Sequence, residues 1–272
     1  MNTKIILEEA KKYVGEFHQI LQDEKFQSRG IINSEALLLI TLIQYYDVEN
    51  FIESGRARGY STNLIAKYFK GTNIKITSID FDEKSEDAKY SEKLLTKYPN
   101  VNLIYGDSQK IIESEVKENC VVFIDGPKGD EAIQLGARLL KNKLVKAVAI
   151  HDLPKDTWNR DICETIFSDY FFSDDTSFVR EFKHVDAECW STLSGTGMAP
   201  YLRHGNKTES YGSTLGIFFN SDTPLSTTSY ENSLSYYNDH QATLKSVFIN
   251  SVTHDSVLYK LIKKIHNAVT KK

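Results

Sequence analysis

The alternation of short apolar runs with helical patterns between residues 48 and 152 is the feature that most restricts how this chain can fold. In its clearest unit, an apolar run ends at Glu53, a turn with two glycines and a helical pattern follow, and a second apolar run ends at Asp80. This order predicts a strand, a tight turn, a helix and a parallel strand. Strands joined by helices form a parallel sheet covered on both faces. The predicted strands are 48–54, 74–80, 101–105, 120–125 and 145–150, and the predicted helices between them are 59–70, 83–97, 108–116 and 129–141.

The segments on either side of this alternation are less regular. Apolar residues at helical spacing predict helices over 4–22 and 33–45, the second with Asn33 and Ser34 as candidate caps. Later segments predict a helix over 154–170, strands over 177–182 and 213–219, a long loop over 191–213 and a terminal helix in the tail. We therefore predict an α/β fold with a doubly wound, mostly parallel sheet. Its divisions are a helical cap (1–47), a ligand-binding domain (48–220) and a C-terminal extension (221–272).

Composition excludes several classes of function. The net charge of −4 offers no electrostatic attraction for nucleic acid or an anionic membrane. No apolar window reaches the length of about 18 residues that a membrane span requires, and acidic residues follow the apolar start too soon for a signal peptide. The three cysteines are far apart in the chain, which predicts buried, reduced thiols and a cytoplasmic protein.

The first turn indicates a site for a ligand with a ribose. Gly55 and Gly59 permit close backbone approach, and the helix after Gly59 presents free N–H groups at the same place. Asp80 ends the next strand, where a carboxylate can accept hydrogen bonds from ribose hydroxyls. The Gly-x-Gly-x-x-Gly spacing of dinucleotide sites is absent, which argues against a nicotinamide-dependent oxidoreductase.

Polar residues also follow the other predicted strands, and the carboxyl ends of parallel strands line one crevice. Asp107, Ser108 and Gln109 follow the third strand, Asp125 ends the fourth, and His151 and Asp152 end the fifth. The group Asp125, His151 and Asp152 could hold one divalent ion, since Asp oxygens suit magnesium. Lys128 lies one turn after Asp125, where a bound cation would disfavour its ammonium form and make it a general base.

These motifs resemble those of a known family. Glu53-Ser54-Gly55, Gly59-Tyr60-Ser61, Gly106-Asp107-Ser108-Gln109 and Asp125-x-x-Lys128 resemble class I S-adenosylmethionine (SAM) methyltransferases, above all the catechol O-methyltransferase branch. Residues 123–129 are also similar to macrocin-type sugar O-methyltransferases and cephalosporin hydroxylase-like proteins. The resemblance implies a Rossmann-like sheet of seven strands with an antiparallel last strand.

The resemblance also implies roles for single residues. Glu53, Gly55, Gly59 and Ser61 would surround the methionine part of SAM, Asp80 would bind its ribose, and Ser108 and Gln109 its adenine, with Asp125 also beside the cofactor. Asp125, His151 and Asp152 occupy the positions that hold magnesium in metal-dependent members, and Lys128 matches the catalytic lysine. This chain departs from the family at His151, where a carboxylate is usual, and imidazole binds magnesium more weakly than a carboxylate does.

The predicted function is methyl transfer from SAM to a hydroxyl of a small molecule or a sugar, with Lys128 or His151 taking the proton. Loop 191–213 with Trp158, Tyr170, Phe171 and Phe172 would form the acceptor pocket or pack in the core. Two alternatives stay open: a cephalosporin hydroxylase-like oxygenase with iron at Asp125, His151 and Asp152, and a non-catalytic scaffold with the same fold. A homodimer is an alternative to a monomer.

Overall fold

A computed structural model describes residues 3–27, 30–155, 157–194 and 214–220 of the chain. The predicted tail 221–272 and most of the predicted loop 191–213 lie outside these ranges. The helices are α1 Thr3–Leu21, α2 Asn33–Tyr45, α3 Tyr60–Tyr68, α4 Glu86–Leu95, α5 Ser108–Glu115, α6 Asp130–Leu139, α7 Trp158–Ile166, α8 Thr176–Phe182 and α9 Ala187–Ser194. The strands are β1 Asn50–Ser54, β2 Lys75–Asp80, β3 Val101–Tyr105, β4 Cys120–Ile124, β5 Val145–Ile150, β6 Tyr170–Phe172 and β7 Gly216–Phe219.

The strands form one sheet of seven in the order β3-β2-β1-β4-β5-β7-β6. Strands β1 to β5 pair in parallel, and β7 is antiparallel to both β5 and β6. The predicted doubly wound, mostly parallel sheet is therefore confirmed. Ser54 pairs with Ile79 of β2 and with Ile124 of β4, so the chain leaves these three strands at one edge of the sheet.

Helix α2 is the central helix on one face of the sheet. Its residues from Asn33 to Ile43 are all buried, and its apolar side chains belong to the same hydrophobic cluster as Phe51 of β1 and Phe123 of β4. The sequence predicted Asn33 and Ser34 as candidate caps, and this prediction is wrong. Ile32 is the N-cap, and both residues lie inside the helix. The carboxylate of Asp186, 2.7 Å from the Ser34 amide, serves that end instead.

The predicted strand 177–182 is wrong, because this segment forms helix α8. Asp175 caps α8 by accepting hydrogen bonds from the amides of Ser177 and Phe178, and the apolar residues of the helix face the core. The strand of this region lies earlier, at Tyr170–Phe172, and its first residue was predicted as the end of helix 154–170. Helix α9 also occupies the start of the predicted loop 191–213.

The predictions about the cysteines and about membrane-spanning helices can be compared with the described residues. Cys120, Cys163 and Cys189 are free and buried. Within the described ranges, every helix is too short or too polar to cross a membrane.

Asp186 is expected to make the stability of the fold depend on pH. Burial raises the pKa of its carboxyl group to about 7, well above the ordinary value. A raised native pKa contributes stability below the unfolded pKa, and this contribution disappears as the pH rises through 7. Between pH 4 and 8 the free energy of unfolding of the wild type should fall by on the order of a few kcal/mol relative to that of Asp186→Asn, whose side chain cannot ionise. Urea unfolding at several pH values measures the difference.

An Asp47→Asn variant is the control, since Asp47 is exposed. Its stability should follow that of the wild type at every pH. If the Asp186→Asn and wild-type curves run parallel from pH 4 to 8, the carboxyl group of Asp186 does not titrate in this range.

Candidate functional site

The ends of β1 and β4 touch at the two glycines that follow them. Gly55 has a φ of +90°, and a Cβ placed there would lie 2.4 Å from the Gly126 amide nitrogen and 2.6 Å from the carbonyl carbon of Asp125. Both Asp125 and Gly126 donate their amides to the Ser54 carbonyl, at 2.7 and 2.9 Å. A side chain at position 55 would therefore push the two strand ends apart, which explains a glycine here.

A cavity of about 450 Å³ opens beside these glycines, on the β2 and β3 side. Pockets of this size take nucleoside-sized ligands. The cavity is lined by Ser54, Gly55, Ile79, Asp80, Phe81, Asp107, Ser108, Gln109, Gly126, Pro127 and Glu131. Four of these residues were predicted to bind the cofactor. Phe81 is 80% exposed and offers an aromatic surface at the rim. The structure thus brings Gly55, Asp80, Ser108 and Gln109 to one place.

Asp80 connects this cavity to the turn after β1. Its Oδ2 accepts a hydrogen bond from the Ala57 amide at 2.8 Å, and its Oδ1 accepts one from the Asp82 amide at 3.1 Å. Ala57 has a φ of 44°, so the bond holds a turn that is unusual for a residue with a side chain. Each carboxylate oxygen keeps a second lone pair for a ligand.

Glu53 is placed differently from the prediction. Its side chain is fully buried and accepts hydrogen bonds from the hydroxyls of Ser61, Thr62 and Ser78, the last at 2.8 Å. Burial raises the pKa of Glu53, although the three hydroxyls oppose the increase. Glu53 therefore stabilises the start of α3 through hydrogen bonds to Ser61 and Thr62, and its side chain presents no exposed surface to a ligand. Ser61 does line a second, smaller cavity, together with Gly55 and Asp125.

Gly59 is the N-cap of α3, with a φ of 78°. A Cβ there would lie 2.9 Å from a methyl carbon of Leu95 on α4. The close approach at Gly59 is thus to a packing neighbour.

The three predicted metal ligands do converge. One ligand atom from each of Asp125, His151 and Asp152 lies within 4.8 Å of the others. The ammonium of Lys128 lies among them, with Nζ 2.5 Å from Asp125 Oδ1 and 2.7 Å from Asp152 Oδ2. We call these four residues the charged cluster.

The sequence predicted that a bound cation would disfavour the ammonium form of Lys128, whereas the protein groups alone favour it. Burial disfavours the ammonium, but the carboxylates of Asp125 and Asp152 outweigh it and raise the pKa of Lys128. His151 and Lys128 in turn outweigh the effect of burial on Asp152 and hold the pKa of its carboxyl group below the usual range. At neutral pH the protein groups of the cluster are thus paired charges, and the role of Lys128 as a general base beside a bound cation stays a prediction.

His151 lies between two groups of carboxylate oxygens. Its Nδ1 is 2.9 Å from Asp125 Oδ1 and 3.3 Å from Asp152 Oδ1, and neither oxygen is aligned for a hydrogen bond. Its Nε2 lies 3.2 Å from Glu35 Oε2 and 3.3 Å from the Thr214 hydroxyl. Burial acts against protonation, but Asp125 and Glu35 together raise the pKa of His151 well above its ordinary value.

Glu35 is the residue of this site that sequence reasoning missed. It is only 1% exposed, in the first turn of α2. Its Oε1 accepts hydrogen bonds from the Thr214 and Leu215 amides at 2.7 and 3.0 Å and from the Ser173 hydroxyl at 3.1 Å. Its Oε2 faces His151 and the Ile32 amide. An acidic residue at the start of an otherwise apolar helix was the signal that could have revealed it.

The charged cluster does not fit a magnesium ion. Magnesium requires an octahedral shell of oxygen ligands, and here one of the three predicted ligands is an imidazole. One oxygen of Asp125 and one oxygen of Asp152 already face the Lys128 ammonium. A second cation beside this ammonium would be repelled by it.

The sequence left two roles open for the aromatic residues near the predicted acceptor site, a pocket wall and the core. Phe171 and Phe172 are buried, and their rings pack against Phe178 and Phe218 at centroid distances of 5.6 and 6.0 Å. These two residues are therefore core residues. Tyr170 is 39% exposed on β6. The Trp158 side chain lies outside the described part of the chain.

Several solved structures are similar to this one in their overall chain path. The O-methyltransferase TomG from Streptomyces achromogenes, in complex with SAM, has 13% identity and a TM-score of 0.42, with 81% of this chain and 92% of that chain covered. A putative caffeoyl-CoA O-methyltransferase from Staphylococcus aureus has 19% identity and a TM-score of 0.38, covering 81% and 93%. An O-methyltransferase from Bacillus cereus, in complex with S-adenosylhomocysteine (SAH), has 15% identity and a TM-score of 0.41, covering 80% and 92%. No family model matches the sequence, and no curated protein does.

Proposed function

We propose that this chain is a SAM-dependent methyltransferase that methylates a hydroxyl group of a small molecule or a sugar. The observation that carries the proposal is the shared edge of the sheet. There, a cavity of nucleoside size holds Asp80, Ser108 and Gln109 on its wall, and the charged cluster begins at Asp125, directly before Gly126 of the same wall. A cofactor site next to a site for polar chemistry is what group transfer requires.

The cavity residues have groups suited to an adenosine. Asp80 has lone pairs left for ribose hydroxyls, as its bonds to the Ala57 and Asp82 amides use only part of its capacity. The side-chain amide of Gln109 lies 3.0 Å from Glu131, and the Ser108 hydroxyl lies 3.3 Å from the Gly126 carbonyl. Both can exchange these bonds for contacts with a base.

The residues of the charged cluster would act on the acceptor. When bound, SAM supplies a methyl group on a sulfonium, and transfer breaks the carbon–sulfur bond with the electron pair left on sulfur. We assign Lys128 the role of the cation that orients the acceptor oxygen, and both Lys128 and His151 the role of stabilising negative charge on it. The proton of the hydroxyl leaves to water at the open side of the cluster, where Asp152 is half exposed.

Calorimetric titration with SAH tests the cofactor site. Wild-type protein should bind SAH with micromolar affinity, and Asp80→Ala should weaken binding about 10- to 100-fold, the cost of lost hydrogen bonds to a charged group. Asp82→Ala is the matched control. Asp82 is exposed, two positions along, and does not line the cavity, so its loss should leave the affinity unchanged.

Absence of SAH binding to the wild type would contradict the proposal and favour the non-catalytic scaffold. Equal losses of SAH affinity in the Asp80 and Asp82 variants would show that the cofactor does not bind in this cavity. The cytoplasmic location, the homodimer and the lack of nucleic-acid and membrane partners stay predictions from the sequence.

A further inference from the structure

We infer that the Lys128 ammonium takes the place of a divalent cation in this site, so that the chain works without a metal. This inference rests on the proposed methyltransferase function, and it concerns the cation that faces the acceptor oxygen. It starts from the positions of the donor atoms.

The first step is the position of the ammonium. Lys128 Nζ bridges one oxygen of Asp125, at 2.5 Å, and one oxygen of Asp152, at 2.7 Å. These carboxylates lie on neighbouring strand ends, after β4 and β5, which are paired in parallel. A cation between two carboxylates is the usual arrangement of an ion site, and here the chain supplies the cation itself.

The second step is that the imidazole of His151 also lies beside these two carboxylates. Asp125 Oδ1 faces His151 Nδ1 at 2.9 Å in addition to Lys128, and Asp152 Oδ1 faces the same nitrogen at 3.3 Å. Nitrogen atoms of Lys128 and His151 therefore lie within 3.3 Å of one oxygen of Asp125 and of both oxygens of Asp152. Each carboxylate oxygen has only two lone pairs.

The third step is that contacts on the Nε2 side of the imidazole hold His151 in this position. Its Nε2 contacts the carboxylate of Glu35. This carboxylate also accepts hydrogen bonds from the backbone amides of Ile32 and Thr214. Rotation of the imidazole out of the cluster would leave the buried Glu35 without one of its partners, which is costly. Glu35 is thus a positioning residue for the cluster.

The ammonium also has the capacity that the reaction needs. It has three N–H donors, and two of them serve the carboxylates, which leaves one for an acceptor oxygen. The Lys128 side chain is 50% exposed, so a ligand can reach it. A single donor binds a single oxygen, whereas a metal ion can bind two. An acceptor with one hydroxyl therefore suffices, and two adjacent hydroxyls are not required.

Metal binding by the wild type and by Lys128 variants tests the inference independently of activity. Electron paramagnetic resonance of free Mn²⁺ measures binding to each protein. We expect no binding to the wild type below millimolar Mn²⁺. Lys128→Met keeps the length of the side chain but frees two carboxylates from their cation, and it should bind Mn²⁺ at least about tenfold more tightly than the wild type.

Three further variants keep this result interpretable. Lys128→Arg retains a cation and should show no gain. Lys110→Met is the matched control, because Lys110 is paired with Asp107 at the rim of the same cavity, 3.1 Å away, outside the charged cluster. Lys128→Gln replaces the methionine variant if the latter fails to fold, as judged by circular dichroism.

Micromolar Mn²⁺ binding by the wild type would overturn the inference, and so would the absence of any gain in both Lys128→Met and Lys128→Gln. SAH titration after treatment with EDTA separates failure of this inference from failure of the proposed methyltransferase function. Wild-type SAH binding with a failed Mn²⁺ result overturns only the substitution of lysine for metal. Loss of SAH binding with the expected Mn²⁺ result contradicts only the methyltransferase function.

Discussion

Gly55→Ala should destabilise the protein by about 3 to 5 kcal/mol, the sum of backbone strain and a steric overlap, and should abolish SAH binding. The new Cβ would lie 2.4 Å from the Gly126 amide nitrogen, and its neighbours there are backbone atoms, which cannot rotate away as a side chain could. The backbone itself is held by the bond from the Gly55 amide to the Ile79 carbonyl, 2.9 Å long. Urea unfolding and SAH titration measure the two effects.

Two other glycines separate the causes. Gly71 has a φ of +85° but open space around it, so Gly71→Ala carries strain without overlap and should cost only about 1 kcal/mol. Gly15 lies in α1 with an ordinary φ and open space where a Cβ would lie, so Gly15→Ala should raise stability by about 0.5–1 kcal/mol. If Gly55→Ala is as mild as Gly71→Ala, the contact between the strand ends does not restrict the site.

Glu35→Ala should cost about 3 to 5 kcal/mol, because removal of a buried carboxylate leaves its partners unpaired. The amides of Ile32 and Thr214 would lose their acceptor. The Leu215 amide and His151 Nε2 would each lose one of two partners and keep only the hydroxyls of Ser173 and Thr214. Glu35→Gln keeps one oxygen acceptor and should cost less than the alanine variant. The free energy of unfolding in urea gives the order of the three proteins.

The control for Glu35 is another glutamate in the first turn of a helix. Glu86 of α4 is 88% exposed, so Glu86→Ala should change stability by less than about 0.5 kcal/mol. If Glu35→Ala is no more destabilising than Glu86→Ala, the hydrogen bonds of Glu35 do not contribute to the stability of the fold.

The convergence of polar residues at one edge of the sheet was predicted from the sequence. Parallel strands end at one edge of a sheet, so the residues that follow those ends must meet whatever the details of packing. Gly55, Asp80, Ser108 and Gln109 were found in this way, and they share one cavity. Glu53 also follows the rule for position, but the sequence does not show that Ser61, Thr62 and Ser78 enclose its carboxylate.

The errors lie where local patterns were ambiguous. Residues 177–182 have the aromatic and β-branched composition of a strand, but the cap at Asp175 and burial of one helical face favour α8. For Phe171 and Phe172 the pocket and the core both stayed open, because a sequence does not tell an aromatic residue of the core from one of a binding site.

The sequence by itself determined the order of strands and helices and the edge where the polar residues gather, because the periodicity of buried residues is a local property of the chain. Only the tertiary structure decided the charge state of the site. Glu35, Asp125 and His151 come from distant parts of the chain, and their electrostatic effect on one another depends on distances of about 3 Å. Packing of α2 against the strand ends sets these distances, and spacing along the sequence does not.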